Sequence, residues 1–345
     1  MKKIRICWLI LLVIFPLVSA RSQDTFTSGL IPAVFKSDNP LPITIKTDIK
    51  GLTDQMFEKE HYQPAEIIYK DHKITNTLKT RIRVRGHFRK DTLNCDFPPL
   101  RVNFKKNDIR NTIFGPQDQF RIVTHCRSID RHFVQYVIRE YLVYKMYQIL
   151  NPLSLNVRLA IITYVDTEGR YPTLTRYGFI LEDEGEFASR FNAEKISKRI
   201  NFEDLEENNG LLLALFQFMI GDTDWIVQFS KNLVLLKKGD QIYAVPYDFD
   251  YSGIVGTDYR NATGFTSLSD PERLFKGKCY PKKEMRHMLR KFRKSRNKFD
   301  NLLYSTKQLD TDSMIYMYNY ITQFYDIITS RQERSKYFER NCDGN

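Results

Sequence analysis

Five aspartates crowd the segment Gly221–Gly253, which reads GDTDWIVQFSKNLVLLKKGDQIYAVPYDFDYSG. Asp222/Asp224 and Asp248/Asp250 form two Asp-x-Asp pairs. The first pair precedes the apolar run Asn232-Leu-Val-Leu-Leu236, and the second follows Ile242-Tyr-Ala-Val-Pro246. If those runs form a hairpin, the start of one strand lies beside the end of the other. Asp224, Asn232 and Asp248 then converge. Clustered carboxylates repel unless a proton or a divalent cation intervenes. A donor set made only of oxygens suits Mg²⁺ or Mn²⁺ rather than zinc. The plainer reading is turn chemistry and helix capping. On that reading Asp222 is a turn residue and Asp250 a structural acid.

Such a site needs a helix and two strands to hold it, and the flanking sequence provides them. Leu211–Ile220 is apolar on every side, which predicts an internal helix with Gly221 as its stop. Leu233–Leu236 and Ile242–Val245 read as short strands about the turn Lys237-Lys-Gly-Asp240. Upstream, Ile43-Thr-Ile45 and Ile67-Ile-Tyr69 are short β-type runs. Arg81-Ile-Arg-Val-Arg85 alternates, with Ile82 and Val84 inward and the arginines outward. Leu100–Phe104 and Phe120–Thr124 continue an expected antiparallel sheet. A helix capped by Ser128 or Asp130 runs to Leu150, where Asn151-Pro152 ends it. Val157–Val165 and Tyr177–Leu181 read as a hairpin. Lys282–Leu303 and Asp312–Phe338 carry amphipathic helical stripes. The order predicts an α+β chain with a β-rich first half and a mostly helical second half. The β-rich region, with its one long helix, spans 41–181. The helical region, 182–345, carries the Asp/Asn site.

Residues 1–20 have the form of a secretory signal peptide. Lys2, Lys3 and Arg5 precede the apolar run Ile6–Val18, and Val18-Ser19-Ala20 offers small residues for cleavage. No later stretch reaches the length of a membrane span, so none is expected after cleavage. Residues 21–40 read as a linker. An exported, periplasmic or extracellular protein follows. The formal net charge is +12, yet Arg273–Lys298 holds twelve Lys/Arg against the single acid Glu284. A general nucleic-acid binder would spread its basic footprint more widely, so nucleic acid is not an expected partner. The basic segment is either the solvated face of a packed helix or a surface for an acidic protein, a phosphorylated product or an anionic membrane. Past the signal, Cys95, Cys126, Cys279 and Cys342 remain, an even set without CxxC spacing. Export favours disulfides over zinc. Cys95 and Cys126 flank neighbouring strands and are the expected pair, which argues against a Cys126/His125 nucleophile. Cys279–Cys342 is the second expected pair.

Arg83-Val-Arg85-Gly86 on an early strand, Asp224 and Asn232 before a short strand, and Val245-Pro-Tyr-Asp-Phe-Asp250 after it together resemble the CotH family of spore-coat-type atypical protein kinases. The resemblance spans roughly residues 80–255 and lies in order and spacing more than in identity. It implies a bilobal, atypical protein-kinase-like fold. It implies ATP as co-substrate with Mg²⁺ or Mn²⁺, and Ser/Thr hydroxyls of exported proteins as acceptors. Residue by residue, Asp248 and Asn232 would be metal ligands, with Asp250 beside them. Asp224 would orient the acceptor or act as base, and Arg85 would face the nucleotide phosphates. Glu140 would hold a phosphate-binding cation, and Glu182 would lie at a strand end near the nucleotide. The chain departs from the family where Cys95-Asp-Phe-Pro-Pro-Leu-Arg101 replaces a Lys-rich stretch, leaving Arg101 and Arg121 as substitutes for its lysine. Tyr247 replaces a Trp. HRD, DFG and a Gly-rich loop are absent, which excludes an ordinary protein kinase. Two other functions fit the same residues: a non-catalytic envelope or surface protein that binds a partner, and a two-carboxylate glycan hydrolase.

Overall fold

Alternation in the first half builds a sheet that closes on itself. A computed structural model describes residues 29–86, 89, 91–130, 132–259 and 273–339. The expected signal peptide and Cys342 lie outside the described residues. Seven strands form the sheet: β1 Leu41–Thr47, β2 Gln63–Asp71, β3 Ile74–Val84, β4 Leu100–Phe104, β5 Gln119–Val123, β6 Val157–Asp166 and β7 Leu174–Glu182. They make a closed barrel in the order β1-β2-β3-β4-β5-β7-β6. Neighbours are antiparallel except at the closing seam, where β1 and β6 run parallel, with Leu41 opposite Ala160 and Thr47 opposite Asp166. Ile82, Val84, Val102, Phe120, Ile122 and Ile162 fill the interior. Two short helices, α1 Ile49–Asp54 and α2 Lys106–Ile109, lie in its connections. Residues 29–40, expected as a linker, dock on the barrel: Val34 is buried and its carbonyl accepts from Arg158 at 3.0 Å.

The hairpin β6–β7 is buried on both faces. Ala160, Ile162, Tyr164 and Ile180 point into the barrel, while Val157, Leu159, Phe179 and Leu181 point into a second core. That core is centred on α3, Phe133–Leu150, whose sides are apolar nearly all round. Tyr144 meets Phe179 of β7 at 5.6 Å and Phe249 of the helical half at 4.7 Å between ring centroids. Further on come α4 Glu184–Arg190, strand β8 Glu194–Ile196, α5 Glu207–Ile220, β9 Leu233–Lys238 and β10 Gln241–Pro246. The last three strands form a small antiparallel sheet in the order β10-β9-β8. Two long helices follow, α6 Lys282–Ser305 and α7 Thr311–Thr329. Ser330 ends α7 and caps the short α8 Arg331–Arg334, so the single helix expected to Phe338 is broken there. Among the described residues no helix is long and apolar enough to cross a membrane.

The bilobal kinase-like fold is therefore corrected. The β-rich half is a closed seven-stranded mixed barrel, not one lobe of a two-lobed molecule. Alternating strands are compatible with an open or a closed sheet, and the parallel β1–β6 pairing decides between them. The barrel keeps its own interior, yet its outer wall shares a core with the helical half. One core cluster takes residues from β5, β6, β7, α3, α5, β9, β10, α6 and α7.

Candidate functional site

After Val84 the chain leaves the barrel through Arg85 and Gly86. Gly86 has φ 83°, a conformation glycine adopts without steric cost. The Arg85 N–H donates to Pro99 O at 3.0 Å. Across from this loop, α5 ends at Gly221 in the left-handed conformation. The Asp222 carboxylate then accepts the Asp224 N–H at 2.8 Å, an Asx turn that positions Asp224. Trp225 is buried and donates to Asp222 O at 3.2 Å, so it packs beneath the turn. The pairing of β9 with β10 sets Leu233 opposite Pro246, and the Tyr247 N–H donates to Asn232 O at 3.1 Å. That register brings Asn232 beside Asp248. Ser230, Asn232 and Asp248 have φ of 51°, 55° and 64°. Left-handed backbone outside glycine costs on the order of 1 kcal/mol per residue and concentrates at functional sites.

These segments enclose a cavity of about 580 Å³ lined by Arg85, Arg89, Asp224, Asn232, Asp248 and Asp250, with Lys231, Tyr247 and Tyr251 on its walls. Most charges inside are already paired. Arg89 bonds Glu140 at 2.8 Å and Asp250 at 3.0 Å, and Asp250 also accepts from Tyr259 at 2.8 Å. Burial works against the Arg89 charge, but Tyr259, Asp250 and Glu140 outweigh it and hold the guanidinium well above its ordinary value. Burial, with Asp250 and Asp248 nearby, pushes the Glu140 carboxyl up against the pull of Arg89. Asp224 pairs with Lys231 and accepts from the Asn232 amide at 3.1 Å.

Two side chains are left over. Among the described residues neither the Arg85 guanidinium nor the Asp248 carboxylate has a hydrogen-bond or ion-pair partner. Burial, then Asp250, pushes the Asp248 carboxyl up, opposed by Arg89, Arg85 and Arg121. Burial and the like charge of Arg121 push Arg85 down. Backbone contact fixes Asp248 in place: its N–H donates to the Tyr144 hydroxyl at 2.9 Å.

Five residues expected from the sequence, Arg85, Asp224, Asn232, Asp248 and Asp250, line this one cavity. Asp250 is committed to Arg89 and Tyr259, so it orients Arg89 rather than standing free as a ligand. Glu140 reaches the cavity through Arg89. Arg121 lies behind Tyr247, 5.2 Å from the ring centroid, and is bound to Glu184 and to the Glu182 carbonyl. Arg101 and Glu182 do not line the cavity. Arg101 pairs with Asp183 at 2.8 Å. Glu182 is fully buried and takes hydrogen bonds from Gln117, Asn156 and Arg190, which tie α4 to the barrel. Sequence reasoning missed Arg89. The signal was Glu140 itself, a carboxylate on a helix buried all round that needed a cation from the basic loop after β3.

Among the described residues no three His, Cys, Asp or Glu side chains converge on a metal position. Among the described residues the Asp248 carboxylate and Oδ1 of Asn232 face the cavity without a hydrogen-bond donor. That pair fits Mg²⁺ or Mn²⁺, whose shell is usually completed by phosphate oxygens and water, and does not fit zinc. The expected disulfide is present: Cys95 and Cys126 are bonded, with both side chains buried. Cys279 is also disulfide-bonded. Searches find no protein-family model and no curated protein that matches the chain.

Proposed function

We propose that this chain is an exported, CotH-like phosphotransferase that uses ATP and Mg²⁺ or Mn²⁺ to phosphorylate Ser or Thr hydroxyls of exported proteins. One observation carries it: Arg85 and Asp248, neither paired among the described residues, open into the same cavity. A simple anion answers only the first and a bare cation only the second, whereas a metal-bound phosphate chain answers both. When bound, the cation neutralises phosphate charge. Asp248 and Asn232 Oδ1 hold it. Arg85 holds phosphate oxygens, and Arg89, fixed by Glu140 and Asp250, adds a second positive charge. Asp224, held by Lys231 and Asn232, accepts the proton of the acceptor hydroxyl. That hydroxyl oxygen bonds to the terminal phosphorus as the bond to the diphosphate oxygen breaks. Beside Asp224 the rim exposes Ile226 and Phe229, an apolar face for the acceptor chain.

A second reading, a non-catalytic envelope or surface protein, is favoured by the state of Asp224, both of whose oxygens already have partners. One experiment separates the two. The oxidised chain without residues 1–20 is melted with Mn²⁺ and ATP together, as wild type, Asp248→Ala and Arg85→Ala. The phosphotransferase reading expects a rise in melting temperature for wild type alone. No rise in wild type, or an equal rise in all three, sends the assignment to the non-catalytic scaffold.

A further inference from the structure

The basic segment is not absorbed by the cavity. On α6, Met285, Met288, Leu289, Phe292, Phe299 and Leu303 are buried in the shared core, so the helix has one fixed orientation. Its other side is exposed and carries Lys282, Lys283, Arg286, Arg290, Lys294 and Lys298. At 100° per residue these six fall within an arc of about 160°, along about 24 Å of axis. None of the six has an ion-pair partner among the described residues. The acids of this helix do not offset them: Glu284 is half-buried, and Asp300 is bound to Arg296 at 3.0 Å. The rest of the sequence past residue 20 is close to neutral, so positive charge is concentrated on this one face.

We propose that the exposed face of α6 docks the protein on an anionic phospholipid surface. A solvent-facing helix side is a convex ridge, which offers a peptide no groove or pocket. It does suit a plane. Side chains within such an arc all reach a tangent plane to within about one Debye length, 8–10 Å at ordinary ionic strength. No large apolar side chain is exposed between Lys282 and Lys298, so the contact is electrostatic and peripheral rather than inserted. The same lack of aromatic side chains leaves nothing on which nucleic-acid bases would stack. The inference does not depend on the phosphotransferase reading, and its test uses no nucleotide.

The oxidised chain without residues 1–20 is sedimented with vesicles of phosphatidylcholine alone and of phosphatidylcholine mixed equally with phosphatidylglycerol. Wild type is compared with Lys283→Gln/Arg290→Gln/Lys294→Gln, three exposed positions whose neutralisation leaves the melting temperature unchanged. The expected result is binding to the anionic vesicles only, a loss of about tenfold or more in the variant, and release at high salt. Equal binding to neutral vesicles, or a variant that binds as wild type does, overturns the proposal. So does capture by immobilised polyglutamate without sedimentation on the anionic vesicles, which would assign the face to an acidic protein.

Discussion

Keeping Asp248 ionised costs the folded chain, since burial and Asp250 both oppose its charge and its φ of 64° adds strain. Arg85 faces the same opposition from burial and Arg121. Removing either is therefore expected to stabilise the fold by about 1 kcal/mol while abolishing stabilisation by Mn²⁺ and ATP. Urea unfolding of Asp248→Gly and Arg85→Met measures the first effect, and a loss of more than about 1 kcal/mol in either would show a structural role instead. Arg89→Ala should do the opposite. It strands Glu140 and Asp250 in a buried site, at a cost of about 3–5 kcal/mol. Acid stability isolates another residue. His125 is fully buried between Phe97 and Tyr164, bonds Ser128 at 3.2 Å, and burial lowers it to about 3. Its folded value lies below the unfolded value of 6.5, so the unfolded chain binds the extra proton. The stability it contributes is present above pH 6.5 and drains away as pH falls toward 3. At pH 5 the loss from this one group is about 2 kcal/mol. Urea unfolding at pH 7 and pH 5 should show that loss in wild type and a smaller one in His125→Phe.

Elements were legible wherever a local period carried them. The alternation from Arg81 closes β3 at Val84, and the apolar run at Leu211–Ile220 lies within α5. The convergence of Asp224, Asn232 and Asp248 was legible too, because a hairpin brings the start of its first strand to the end of its second. Barrel closure was not, since the β1–β6 pairing joins residues far apart in sequence and leaves no pattern in either strand. Arg89 was hidden for a similar reason: its partners Glu140 and Asp250 come from distant elements and its loop has no periodicity. Glu182 was placed at the right strand end, but sequence does not say that Arg190 of the next helix turns back to pair with it. The junction between α5 and the Asp222 turn gives a test at this scale. Gly221 has φ 64°, and a Cβ there would lie 1.8 Å from the Tyr320 hydroxyl. Gly221→Ala should cost about 2–3 kcal/mol, a left-handed alanine plus a displaced Tyr320. Urea unfolding reads it, and a cost under about 0.5 kcal/mol would show that the turn is free to rearrange.

At the scale of the molecule, the consequence of the closed barrel is cooperative unfolding. Two lobes that share no core can melt separately, whereas here the outer face of β6–β7, the helix α3 and the C-terminal helices bury their side chains in one another. Taking α6 away exposes the apolar side of α3, and taking α3 away exposes Phe179 and Leu181 on the barrel wall. The barrel has an interior of its own, but its outer wall and the helices are covered only by one another. The barrel and the helices should therefore unfold in one transition despite the length of the chain. Trp225, buried beneath the Asp222 turn, reports on the site and the small sheet. Far-ultraviolet dichroism reports on the long helices. In urea, for the oxidised chain without residues 1–20, the two signals should share one midpoint and one slope. A dichroism change that precedes the Trp225 change would mean that the C-terminal helices peel away first and that the shared core is not the cooperative unit. If the midpoints coincide, Mn²⁺ with ATP should move both together, because a ligand held between the loop after β3 and the loop after β10 stabilises the whole folded state, not one half of it.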